Sequence, residues 1–294
     1  MDTKEIKQKD IQFWIFVGLI GFLVLSILII GICVAVSLAD PPQITEPTIV
    51  TEPSTEPSTE PATEPPPPSL PDIPMNRYME TDFGYDGDYL TCLSGESVLG
   101  IDVSSFQGNI NWKKVKEAGI DFVIIRAAGR GYGKSGVLYS DDLAQQNYRG
   151  AKAAGLKVGA YIFSQATTVE EAREEAEYLL QLTQDWELDM PLVFDWECEG
   201  ENYRTYGLDP RTLTDCIQAF CRRVEEDGHT AMIYFNPSFH NTKFYIEELT
   251  GYQFWLAMYS DQMSYPYHID MWQYTKTGRV PGISGDVDIN LYLP

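Results

Sequence analysis

The chain has 294 residues, 43 acidic and 21 basic, for a net charge of −22. That length suits one or two domains with a sizeable core, and 44% hydrophobic with 13% aromatic residues excludes a wholly disordered protein. The acidic excess persists in residues 75–294, with 18 basic against 33 acidic residues, which argues against a nucleic-acid backbone as partner.

Residues 1–10 carry Lys4, Lys7 and Lys9 and precede a run, 11–38, of 28 residues without a charge. About 20 apolar residues cross a bilayer, so this run reads as a transmembrane helix. The competing reading is a signal peptide cleaved after Ala39, but such signals have an apolar core of only about 7–15 residues. No basic residue follows until Arg77, so the positive-inside rule predicts a cytoplasmic N-terminus, a single pass through the cell membrane and an extracellular remainder. Residues 39–74 form a different polymer. Twelve of the 18 prolines fall here, and Thr-Glu-Pro occurs five times, four of them at a four-residue pitch from Thr51. Proline removes backbone donors and the glutamates repel, so this segment reads as an extended tether, reaching roughly 100 Å in polyproline II form. Such a Thr- and Pro-rich stalk is also compatible with O-glycosylation.

Residues 75–98, with Tyr78, Tyr85, Tyr89 and Cys92, read as a lead-in or hairpin. From residue 99 the pattern becomes strand, helix, strand, helix. Strands are predicted at 99–103, 122–127, 157–163, 191–197, 230–235, 254–259, 271–274 and 287–291. Helices are predicted at 112–118, 141–154, 169–183, 210–227 and 242–249. In 169–183 the apolar residues Val169, Ala172, Ala176, Leu179 and Leu180 recur at helical spacing. Asp209-Pro210 is a cap followed by a first-turn proline, and Gly228 ends that helix. Apolar strands alternating with amphipathic helices mean parallel β/α units. The expected α/β fold is an irregular TIM-like β/α barrel of five β/α units plus three further strands, occupying 99–294.

Five cysteines and three histidines leave no zinc-binding spacing, and no metal or other cofactor is expected. A single disulfide among Cys92, Cys198, Cys216 and Cys221 stays open. The stretch Gly129-Arg-Gly-Tyr-Gly-Lys-Ser135 resembles a phosphate loop, but Ala128 stands where that pattern requires glycine. Nucleotide is therefore not an expected partner, and the stretch reads as a mobile loop beside the cleft.

Carboxylates interrupt the apolar strands. Asp195 and Glu197 share one face at the end of the fourth strand by period-two alternation. Asp102 ends the first strand and Asp288 lies on the last, and these two are neighbours in a closed barrel. Carboxylates are costly to bury unpartnered, and the strand C-termini form the working face of a β/α barrel. No histidine lies near, so a Ser-His-Asp apparatus is unsupported. Oxygen clusters also suit hard cations. Glycoside hydrolysis uses an acid and a second carboxylate, and crowded like charges keep one acid protonated. Aromatic residues at strand ends fit a sugar: Tyr161, Phe163, Tyr234, Trp255, Tyr259, Trp272 and Tyr274. Arg126, Asn236 and Gln273 add polar groups to the expected substrate contacts.

Several segments occur in a telling order: Gly100-Ile-Asp-Val-Ser-Ser-Phe-Gln-Gly108, Ile110-Asn-Trp112, Phe122-Val-Ile-Ile-Arg-Ala127, Gly159-Ala-Tyr-Ile-Phe163, Asp195-Trp-Glu197, Met271-Trp-Gln-Tyr274 and Val280-Pro-Gly-Ile-Ser-Gly-Asp-Val-Asp-Ile-Asn290. This run resembles glycoside hydrolase family 25, the Chalaropsis-type lysozymes, across 99–294. The resemblance implies an irregular barrel of five β/α units and three strands. It also implies hydrolysis of the β-1,4 bond between N-acetylmuramic acid and N-acetylglucosamine in peptidoglycan. It implies Glu197 as general acid, Asp195 as its partner, Asp102 and Asp288 as supporting acids and Tyr161 as a substrate contact. Phe106 and Ile162 stand where relatives often have histidine, which touches subsite contacts. The rival readings are a non-catalytic wall-binding module on the same barrel and a chitin-type hexosaminidase.

Overall fold

A computed structural model of the chain describes residues 73–198, 200–239 and 242–294. The expected membrane span at 11–38 and the tether up to residue 72 lie outside these. Among the described residues no helix is long and apolar enough to cross a membrane.

The lead-in is a hairpin of β1 (Phe83–Asp86) and β2 (Tyr89–Cys92), antiparallel through a turn at Gly87, whose φ of 63° suits a residue without Cβ. There follow β3 (Val98–Val103), α1 (Trp112–Glu117), β4 (Phe122–Arg130), β5 (Leu138–Ser140), α2 (Ala144–Ala153), β6 (Lys157–Ser164), α3 (Val169–Thr183), β7 (Leu192–Trp196) and α4 (Pro210–Glu226). The chain ends with β8 (Ala231–Phe235), β9 (Gln253–Ala257), β10 (Met271–Gly278) and β11 (Val287–Tyr292). Each of the eight expected strands is present. They run in the order β3-β11-β10-β9-β8-β7-β6-β4, and a β3–β4 pairing closes the barrel. The pairs from β3–β4 round to β9–β10 are parallel; β11 is antiparallel to both β10 and β3.

Alternation sorts each strand into an inner and an outer face. Phe122, Ile124, Val193, Met232, Trp255 and Met271 fill the barrel interior, as stacked layers do in such barrels. Gly100 and Gly159 make room for them: a Cβ on Gly100 would lie 2.3 Å from the Phe122 ring, and one on Gly159 2.8 Å from Ile124. Outward residues meet the helices. Phe194 on β7, for example, packs on Phe220 of α4 at 5.0 Å. This two-sided burial explains why β7 reads as an apolar run. Side-chain caps start three helices: Asn111 accepts from the Lys114 N–H, Thr168 from Glu171 and Asp209 from Thr212.

Two expectations change, and one open question closes. The helix expected at 242–249 is a single 3₁₀ turn, Ile246–Glu248. That window is shorter than three turns and is followed by Thr250 and Gly251, too little to sustain a nucleated α-helix. The barrel therefore has four β/α units with full helices and a fifth closed by this turn. The glycine-rich stretch at 129–135 is only partly a loop. β4 continues through Arg130, paired with β5, and Arg130 is buried, bridging Glu174 and Glu175 at 2.7 Å each. The four described cysteines, Cys92, Cys198, Cys216 and Cys221, are all free thiols.

Candidate active site

The inward positions at the C-terminal ends of the parallel strands form a pocket of about 230 Å³. Its lining includes Asp102 from β3, Asp195 from β7, Glu197 just beyond it and Asp288 from β11. Asp288 lies directly opposite Asp102 in the β3–β11 register. The four carboxylates expected to converge do so. Tyr161, Tyr259 and Gln273 also line the pocket, together with Tyr234, Trp255 and Lys276.

Asp102 is held by a web spanning four neighbouring strands. Gln273 Nε2 donates to it at 2.8 Å and Asn290 Nδ2 at 2.9 Å. Gln273 in turn accepts from the Tyr234 hydroxyl at 3.0 Å, and Asn290 from Trp255 Nε1 at 2.8 Å. Burial pushes Asp102 up to about 6, against the pull of these two amide donors. Burial also lifts Asp288 to about 8, reinforced by the charge of Asp102. Asp195 is pushed well above the carboxylate range, first by burial and then by Glu197 and Asp102, with Arg126 pulling the other way. Asp195 is hydrogen-bonded to Glu197, while its Oδ1 is buried without a partner. An unpartnered buried acceptor is costly, so this atom is poised for a donor from a bound molecule.

These shifts have a consequence for stability. An ordinary carboxylate in the unfolded chain titrates near 4. Folded Asp288 and Asp102 therefore hold more protons than the unfolded chain between pH 4 and their folded values, so they lower stability as pH rises through that window. Asp288→Asn is expected to raise Tm at pH 8 by about 3 °C and to flatten the fall between pH 5 and pH 8. Calorimetry of both proteins at the two pH values checks this; an unchanged slope refutes it.

The backbone after β7 is fixed from behind. Gln165 Nε2 donates to the Glu197 carbonyl at 2.6 Å, and Thr205 Oγ1 donates to it at 3.3 Å. Gln165 N–H meets Glu175, which also accepts from Ser164 Oγ and Arg130. A buried ion pair thus stands behind the strand end that carries Glu197.

Other expected contacts fall elsewhere. Trp272 is fully buried on the outer face of β10, donates to the Met258 carbonyl at 2.8 Å and packs edge-on with Phe83 at 5.1 Å. Its parity is opposite to Gln273, so it is a packing residue. Phe163 follows Tyr161 on the inward side of β6 but lies outside the lining of the acidic pocket. Arg126 spends its guanidinium on Asp141 at 2.7 Å, on Ser105 Oγ at 3.1 Å and beneath the Phe106 ring at 4.8 Å. It reaches the pocket through its field. Asn236 lies in an adjoining cavity of about 610 Å³ that shares Glu197, Tyr234, Tyr259 and Lys276 with the acidic pocket.

Lys276 was not foreseen. Its Nζ sits 5.1 Å from the centroid of the Tyr259 ring, and its charge pulls Asp288 downward. It falls where β10 slips register against β11, between Thr275 and Gly278. Such bulges re-aim side chains near active sites. Asn290 and Trp255 were legible as inward residues by parity alone.

Comparison with known proteins agrees with this geometry. The model for glycosyl hydrolases family 25 matches residues 101–283. Lysozyme M1 of Streptomyces globisporus is 33% identical over 212 residues, covering 66% of this chain and 67% of that protein. The autolytic lysozyme of Clostridium acetobutylicum is 29% identical over 197 residues, and the alignment spans 65% of this chain but only 54% of that protein. Among solved structures, the bacterial lysozyme from Streptomyces coelicolor superposes with a TM-score of 0.55 at 32% identity, covering 68% of this chain and 94% of that one. A closed barrel with its acids at the strand ends and a family match over most of the described domain lead to one assignment: the chain belongs to glycosyl hydrolases family 25.

Proposed function

We propose that this protein is a muramidase that hydrolyses the β-1,4 bond between N-acetylmuramic acid and N-acetylglucosamine in peptidoglycan. The observation that carries the reading is the meeting of Asp102, Asp195, Glu197 and Asp288 in one tyrosine-lined pocket. The lysozymes to which the chain is similar support it.

In this reading the hydrogen-bonded pair shares one proton. It sits on Glu197 when the glycosidic oxygen arrives and leaves Asp195 ionised. Glu197 protonates that oxygen as the C1–O bond breaks. The carbonyl oxygen of the substrate's own acetamido group closes on C1, and Asp195 accepts the acetamido N–H, filling the demand of its unpartnered Oδ1. Water then adds to C1, its proton returns to Glu197, and the acetamido ring reopens. Asp102, whose value near 6 leaves it mostly ionised at neutral pH, keeps the mouth negative where positive charge develops at C1.

The reading extends to location. Residues 11–38 anchor the chain in the cell membrane with residues 1–10 in the cytoplasm. Residues 39–74 tether an extracellular hydrolase within reach of the wall. The uncharged run and the lysines before it support this.

Digestion of purified wall glycan and of chitin oligomers, with products read by mass spectrometry, tests the activity. Wall fragments ending in reducing N-acetylmuramic acid are expected, with chitin cleaved at least about tenfold more slowly. Equal or preferred cleavage of chitin would favour the hexosaminidase, and cleavage of neither the binding module.

A further inference from the structure

A second cavity, of about 650 Å³, abuts the acidic pocket, and Tyr259 lines both. One wall comes from the N-terminal hairpin through Tyr85 and Tyr89; the other comes from Tyr274, Thr277 and Arg279 around β10. The hairpin precedes residues 101–283, the stretch matched by the family model.

It is docked firmly. Phe83 meets the edge of Trp272, Leu90 is 1% exposed, the Leu90 N–H donates to the Tyr274 hydroxyl at 3.4 Å, and Tyr89 donates to the Arg279 carbonyl at 3.4 Å. On this held frame Tyr85 and Tyr259 remain 59% and 51% exposed. Exposed aromatic rings on rigid backbone, beside a catalytic pocket, are binding surface with little ordering cost. The charge in the groove is unsuited to an anion: Asp88 and Asp261 line it, and Arg279 is paired with Asp286 at 2.8 Å.

Resting on the muramidase reading, we propose that this groove is an additional sugar subsite. It seats a neutral N-acetylglucosamine ring of the same glycan strand, more than one residue from the cleaved bond, with Tyr85 and Tyr259 against the ring's C–H faces. The hairpin thereby lengthens the cleft and makes the enzyme favour long strands.

The test uses the Glu197→Gln protein, so that binding is read without turnover. Peptide-free wall glycans of four sugars and of ten or more are titrated by calorimetry, with chitin chains of the same lengths alongside. Tyr85→Ala in that background is expected to weaken long-strand binding about fivefold to tenfold relative to the four-sugar ligand, and Tyr85→Phe to restore it. Equal weakening at both lengths, no weakening, or weakening seen only when stem peptides are attached overturns the subsite. A Tyr85-dependent preference for long strands on chitin, with none on wall glycan, keeps the groove and sinks the muramidase reading.

Discussion

Glu197→Gln lowers kcat on peptidoglycan by about 10³-fold and leaves KM within about threefold of the native value. The amide keeps the size and one acceptor of the carboxyl but has no proton to give the departing oxygen. The Glu197 backbone is tied to Gln165 and Thr205, so the variant keeps its strand end in place. Turbidity clearing of purified walls, with the Tm of both proteins measured in parallel, checks the prediction. A variant with native folding and more than a tenth of native activity would remove Glu197 from the acid role.

Asp195→Asn lowers kcat by about 10²-fold, a smaller loss, because it replaces the charged acceptor that steers the acetamido group with a neutral, weaker one and leaves the proton donor. Its second effect is on pH. Asp195 and Glu197 repel and share a hydrogen bond, so they titrate as a pair. A neutral amide beside the acid withdraws the like charge that helps retain the shared proton. The alkaline limb of the kcat profile is therefore expected to move to lower pH. Rates from pH 4 to pH 9 on both proteins check this, and the anomeric configuration of the first product, read by NMR, checks acetamido assistance. Retention is expected; inversion would require a direct water displacement.

Much of this site was legible before any coordinates. All eight barrel strands were visible as apolar runs, because two-sided burial leaves few other residues tolerable. Each acid stood out because it broke such a run, and alternation placed Asp195 with Glu197. The same alternation, applied throughout, would have separated Trp272 from Gln273 and turned the tryptophan outward. What stayed hidden depends on backbone. The slip in β10 that presents Lys276 leaves no mark in residue type. Nor does the grip of Gln165 and Thr205 on Glu197, because a main-chain carbonyl is the same in every residue. The window at 242–249 carried apolar residues at workable spacing but was too short for them to hold a helix.

The last strand has a bearing on biogenesis. β11 is inserted between β3 and β10, and it brings Asn290 to Asp102 across 188 positions of chain. Contacts so distant in sequence form late. A nascent or truncated polypeptide lacking β11 has an open sheet, no Asp288 and an Asp102 short of a donor. The acidic pocket is thus incomplete until the final strand of the domain has been synthesised and seated between its two neighbours.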